Sequence, residues 1–301
     1  MPGLLLLSIA LCLIAGAAID TGSICAVRAA RDLSVGKPAV AVGSVLAVAC
    51  ASLVFYVDNR LGWQLRPTTW SYPTILTFVG AVVFAWGALV NGACAIGTIG
   101  RLARGDIGYI ATLAGAGAVA ALLPVPRVPN QMPDLPLTTG IVWLSIVGGF
   151  TLVVMVATRR HLRAAALAAF AVIGFVGAAI ANVQGDWTWL SLIAEIRSGL
   201  PLQYATAACV VAAILGAALS AVFRHRFHLV RADPQRMLRE AAGGGLMSAG
   251  ATLIPGGNDA LLVTGVPSGS PLAIIGYLVM FSLMVAVFRL VPLVKRWANW
   301  D

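Results

Sequence analysis

The sequence predicts an all-α membrane protein of about nine transmembrane helices, with four short re-entrant half-helices in an inverted repeat. Three observations lead there. Sixty per cent of the 301 residues are hydrophobic and ten per cent are charged, whereas a soluble domain is nearer half apolar and a quarter charged. The apolar residues gather in runs of the length a bilayer crossing requires, roughly 20 residues. Four times, a segment of about ten residues, too short to cross, precedes a break and a full apolar run.

The first run, 3–20, lies in MPGLLLLSIALCLIAGAAID. No basic residue precedes it and no clear cleavage site ends it, so it reads as a helix and not as a removed signal. Runs at 37–57, 72–90 and 107–123 follow, then one at 138–157, then 163–183, 202–223, 236–254 and 271–293. No stretch is long or polar enough for a soluble domain. Residues 1–301 therefore form one transmembrane domain, with halves of about 1–125 and 160–301 and a linking helix at about 138–157.

The short segments come in pairs. SICAVRAARDLSVGKPAVAVG (23–43) breaks at Gly36 and Pro38, and TWLSLIAEIRSGLPLQYATA (188–207) breaks likewise at Gly199 and Pro201. ACAIGTIGRLARGDIGYIATL (93–113) pairs with GNDALLVTGVPSGSPLAIIGYL (257–278). Four full helices in each half with one between them give the halves opposite orientations, a recurrent transporter plan in which broken helices meet near the midplane. Non-helical backbone at that depth survives only where it is buried or lines a cavity. The plainer alternative is a set of surface loops with ordinary turns.

The net charge is +9. With the N-terminus outside, sixteen of the basic residues fall on inner loops and the C-terminal tail, while Arg60, Arg66, Arg127 and Arg197 fall outside. Lys and Arg accumulate on cytoplasmic loops, so the charge reads as topology, N-out and C-in, and not as a nucleic-acid surface.

Few residues are suited to chemistry. Cys12, Cys50 and Cys209 sit within apolar runs and read as small packing residues. Cys25 and Cys94 each start a proposed half-helix, where unpaired N–H groups and the positive end of the helix dipole act on a thiol. Gly92, Gly97 and Gly100 allow close backbone approach. Asn91, Gly257, Asn258 and Asp259 lie at the mouths of half-helices; polar groups there should face a cavity or one another, and Asp259 could equally cap its own helix. Arg28 and Arg101, with Arg31 and Arg104, are either topology determinants or a means of drawing anions inward. His161, His225 and His228 lie in basic loops and read as solvated. There is no C-x-x-C pair and no His/Cys cluster with metal spacing, so neither metal nor cofactor is expected. No P-loop, G-x-S-x-G or H-E-x-x-H occurs.

NGACAIGTIGRLARGD (91–106), GGGLMSAGATLIPGGNDALLVTGVPSGSPLAIIGYL (243–278) and CAVRAARDLSVG (25–36) together resemble the YeeE/YedE family of bacterial inner-membrane sulfur-transport proteins. The similarity is spread over 20–110 and 240–290. The resemblance implies an hourglass-like inverted-repeat permease for thiosulfate, whose cysteines hand the ion along a central path through S–H···S hydrogen bonds. Cys25 and Cys94 fall on two of those positions. The family's third functional cysteine, in the second half, has no counterpart here, where the segment reads Pro255-Gly256-Gly257-Asn258-Asp259. Another sulfur or selenium anion is therefore an open cargo. Two other classes stay in view: a membrane thiol oxidoreductase, which would need Cys25 and Cys94 to meet, and a platform passing sulfur through the 224–240 loop to a cytosolic TusA-like sulfur-carrier protein.

Overall fold

A computed structural model describes residues 2–61, 70–123, 131–132, 147–148, 151, 155, 164–185, 187–197, 204–254 and 256–298. The described residues are overwhelmingly helical. The first half holds α1 (Pro2–Gly22), α2 (Ala26–Ser34), α3 (Ala39–Leu61), α4 (Ile75–Asn91), α5 (Ala95–Ala103) and, after a 3-10 turn at Ile107–Tyr109, α6 (Ile110–Leu122). The second half holds α7 (Ala164–Val183), α8 (Trp189–Arg197), α9 (Tyr204–Phe223), α10 (Pro234–Leu253), α11 (Gly257–Ala260) continued by a π turn at Leu261–Gly265, and α12 (Pro271–Ala298). Both halves thus read long, short, long, long, short and then a last helix, 13 residues in α6 and 28 in α12. A two-residue strand pair that the sequence did not suggest joins Trp70–Ser71 antiparallel to Gln131–Met132.

Six helical stretches among the described residues are long and apolar enough to cross a membrane: Gly3–Ser34, Ala39–Asp58, Ile75–Ala103, Ala164–Val183, Tyr204–Phe223 and Pro271–Val291. The chain is a multi-pass membrane protein. The count differs from the expected nine for identifiable reasons. The helix across 107–122 is short, and α10 carries Arg236, Arg239 and Glu240 in its first two turns. The expected linking helix, 138–157, lies almost wholly outside the described residues.

Lipid tails are as apolar as leucine, so helix association here rests on close packing of small residues. A Cβ on Gly80 would lie 3.1 Å from the Gly250 carbonyl and one on Gly250 2.8 Å from the Gly80 carbonyl; Gly87 and Gly243 are paired in the same way. Because 80 meets 250 while 87 meets 243, α4 and α10 cross antiparallel. Elsewhere α1 packs on α9, with Gly16 against the Ala213 carbonyl and Gly216 against that of Leu13, and α3 packs on α7, with Gly174 against the Ala47 carbonyl. Likewise α6 packs on α10 as α12 packs on α4. Large apolar side chains such as Leu6, Phe78, Trp86, Leu219 and Leu278 point outward.

The breaks have local causes. α4 stops at Gly92, whose left-handed φ of 75° closes the helix, a conformation glycine adopts without a Cβ penalty. Gly256 stands at the corresponding place before α11 with φ of 79°. α10 starts cleanly because Asp233 accepts the Arg236 amide at 3.0 Å and Pro234 occupies the first helical position.

Candidate functional site

The four short helices converge at their N-termini. Cys25 is the N-cap of α2 and Cys94 the N-cap of α5, both in extended backbone conformation. The Cys94 sulfur accepts the Ala26 amide at 3.2 Å, and the Cys25 and Cys94 thiols lie against each other. Ala95, the first residue of α5, donates its amide to Asn258 Oδ1 at 3.2 Å, and its carbonyl accepts Trp189 Nε1 at 3.0 Å. One residue of α5 is therefore held by side chains from α8 and α11. All five cysteines are free thiols.

Gly97 has a sharper role than general packing. A Cβ there would stand 2.6 Å from the Cys25 sulfur, closer than real carbon and sulfur atoms approach. The bare α-carbon admits the thiol to the face of α5. Gly100, by contrast, faces Ile19 at an ordinary 3.5 Å.

A cavity of about 450 Å³ opens onto this point, lined by Cys25, Gly97, Arg28, Arg31, Arg101 and Arg104. Gly92 also lines it, whereas Cys94 is fully buried behind Cys25. Two of the arginines share an acid: Arg28 Nε lies 3.3 Å and Arg31 Nε 3.7 Å from Asp32. Four guanidinium groups against a smaller number of carboxylates make the walls net basic, and a low-dielectric cleft of one sign concentrates the opposite ion. The thiols cannot carry charge compensation themselves, but as S–H groups they are weak donors.

Asn91, one residue before Gly92, is buried and fully engaged. Its Nδ2 donates to the Ala93 carbonyl at 2.8 Å and to Thr98 Oγ1 at 3.1 Å, and its Oδ1 accepts Thr112 Oγ1 at 2.7 Å. Its carbonyl accepts the Tyr109 hydroxyl at 3.3 Å. The side chain thus braces the loop that presents Cys94. Gly257 has φ of 73°, and a Cβ there would meet Leu190 and Phe84 below 3.0 Å, so the second-half position without a thiol is closely packed. Asp259 is buried in the first turn of α11.

Sequence reasoning passed over Asp20, which is wholly buried at the end of α1. Its carboxylate receives Arg104 Nε at 2.7 Å and Ser220 Oγ at 2.9 Å; its carbonyl receives Arg104 Nη2 at 2.8 Å and Arg226 Nη1 at 3.3 Å. Arg104 also donates to Ser23 Oγ at 2.8 Å. An ionisable residue inside an otherwise apolar run was the available signal. Glu240, buried near the start of α10, carries the same one. Cys12 and Cys209 are buried packing residues and sit beside each other.

No curated protein matches the chain. A family model described as sulphur transport matches residues 131–286. The match takes in α7 to α11, most of α12, and Asn258 and Asp259; it runs through the middle of the chain, where the motifs are least distinctive, and begins after Cys25 and Cys94. It spans more than half of the 301 residues, and the chain accordingly belongs to the YeeE/YedE family of sulphur-transport proteins.

Proposed function

We propose that this protein is an inner-membrane permease for thiosulfate or a related sulfur-containing anion, which passes along a central path at Cys25 and Cys94. The observation that carries the reading is the meeting of these two thiols, each at a helix N-terminus, at the end of an arginine-lined cavity. Helix N-termini favour anions, and the S–H groups supply soft donors to a sulfur atom. Arg28 and Arg101 draw the anion into the cavity. Asn91, Gly92, Gly257, Asn258 and Asp259 shape the loops around it, with the Asn258 carboxamide holding α5 where the family carries thiols on both halves.

The short helices are re-entrant half-helices in an inverted repeat of about 1–125 and 160–301 within one transport domain. Two features support this. α4 and α10, equivalent in the two halves, cross antiparallel through paired glycines, and the pairing of α1 with α9 is matched by that of α7 with α3. The orientation is N-terminus periplasmic and C-terminus cytoplasmic, on the distribution of basic residues.

Uptake of labelled thiosulfate into proteoliposomes tests the function, with sulfite, sulfate and selenium analogues alongside. Cys94→Ala should abolish uptake and growth on thiosulfate while membrane insertion stays normal. Wild-type uptake by that variant would refute the thiol path. The direct Cys25–Cys94 contact also favours a second reading, a membrane thiol oxidoreductase. A Cys25–Cys94 disulfide that turns over with an electron acceptor, seen by mass spectrometry, would select it. Co-purification of a sulfur-carrier protein through the segment 224–240, of which 224–233 is a largely exposed loop and 234–240 the start of α10, would add a delivery step to transport.

A further inference from the structure

A second buried polar cluster lies away from the thiols, where the loop after α5 meets the start of α10. Arg236 bridges two carboxylates there: its Nη2 reaches Asp106 Oδ2 at 2.6 Å and its Nε reaches Glu240 Oε1 at 2.7 Å. The other oxygens, Asp106 Oδ1 and Glu240 Oε2, are buried with no hydrogen-bond partner among the described residues. Glu240 is 0% exposed and Asp106 7%. Both free oxygens turn toward Gly108. A Cβ on Gly108 would stand 2.7 Å from Oε2 and 3.6 Å from Oδ1, so the absence of a side chain there leaves them a common space.

Two ionised carboxylates share a single directly bonded guanidinium, with two acceptors left unsatisfied. Like-charged carboxyls sharing a buried site do not both stay ionised readily. A proton on Glu240 removes the excess charge and turns one of the two orphan acceptors into a donor facing the space beside Gly108. The other charged and titratable groups nearby are Arg239 of α10, which acts on Glu240, and Tyr109 of the 3-10 turn, itself acted on by Arg101 of α5. The segment after α9 contributes main chain: the His228 amide donates to the Arg104 carbonyl at 2.9 Å and the Val230 amide to that of Gly105 at 3.0 Å. These bonds pin the Asp106 loop, and the His228 side chain is exposed.

We propose that Glu240, beside Asp106 in the space at Gly108, is a proton-binding site that couples anion uptake to proton movement, an inference that rests on the transport reading. The cluster is joined to the thiols by contacts already in place. The Arg236 guanidinium stands 5.5 Å over the Tyr109 ring. The Tyr109 hydroxyl holds the Asn91 carbonyl, and the Asn91 amide holds the Ala93 carbonyl beside Cys94. Loss of the proton sets an uncompensated charge against Arg236, the group resting on Tyr109, so protonation acts on the loop that presents Cys94.

Two measurements test this. Infrared titration of the purified protein without any anion should show a protonated carboxyl C=O band, lost in Glu240→Gln and in Asp106→Asn and kept in Cys94→Ala. Thiosulfate uptake into proteoliposomes should rise several-fold under an inwardly directed proton gradient. Glu240→Gln or Asp106→Asn should keep downhill uptake and lose that stimulation. A wild type with no protonated carboxyl at any pH, variants stimulated as the wild type is, or stimulation by a sodium gradient instead would each overturn the proposal. If the infrared band behaves as expected while no sulfur anion enters, the transport reading fails and the proton site stands.

Discussion

Asp20 is the buried acid on which three helix ends converge, and its removal has a calculable consequence. Asp20→Ala deletes the acceptor for Arg104 Nε and for Ser220 Oγ. Stripping one partner from a buried ion pair costs about 3–5 kcal/mol, because the other charge is left uncompensated. Two features here lower that figure. The Arg104 side chain is 27% exposed, so water replaces part of its lost partner. Its Nη2 also keeps the residue-20 carbonyl and Ser23 Oγ. The expected loss is therefore about 2–3 kcal/mol. At about 2–4 °C per kcal/mol, as for domains of a few hundred residues, the thermal midpoint in detergent should fall by about 4–12 °C. Asp20→Asn keeps one acceptor oxygen and should cost less. Asp32→Ala, which removes the half-buried partner of the exposed Arg28 and Arg31, should fall in the range of surface pairs, about 0–1 kcal/mol. Thermal unfolding followed by size exclusion reads all three. A midpoint for Asp20→Ala within 2 °C of wild type, by the same conversion, would refute the account, as would an equal loss in Asp32→Ala.

Gly97→Ala places a carbon 2.6 Å from the Cys25 sulfur; it should abolish or greatly slow thiosulfate uptake while leaving detergent-extracted protein monodisperse, and normal uptake would show that the thiol contact is dispensable. Arg101→Gln removes a cationic wall of the cavity and should raise the KM for uptake more than it lowers the maximal rate, with the difference shrinking at high salt because screening weakens steering between exposed charges. A salt-independent defect would argue for a structural role instead.

Much of the helix layout was legible from the chain alone. The runs read at 163–183, 202–223 and 271–293 appear as helices at Ala164–Val183, Tyr204–Phe223 and Pro271–Ala298. Bilayer-length apolar stretches bounded by Gly, Pro or charge leave little freedom in where a helix ends. Cys25 and Cys94 also stand where expected, at helix starts, because each follows a break that a glycine or turn residue marks locally. Asn91 differs: it was read as a mouth residue, and its partners Thr98, Tyr109 and Thr112 come from α5, the 3-10 turn and α6, which only the folded chain brings to the end of α4. Gly97 was read as ordinary helix packing because nothing in α5 shows that a sulfur from 72 residues earlier sits against it.

By itself, the sequence determined that the chain is a multi-pass membrane protein, where most of its long helices lie, and that two of its five cysteines, Cys25 and Cys94, stand at breaks between helices. Those properties follow from composition, run length and local backbone chemistry, all of which act over short stretches. Tertiary structure alone decided which polar groups meet. Asp20 with Arg104, Asp106 with Arg236, Ala26 with Cys94, and Ala95 with Asn258 are each separated by 68 to 163 residues. In a low-dielectric interior a buried charge or amide without a partner is costly, and close approach of glycine-faced helices determines which partners are within reach.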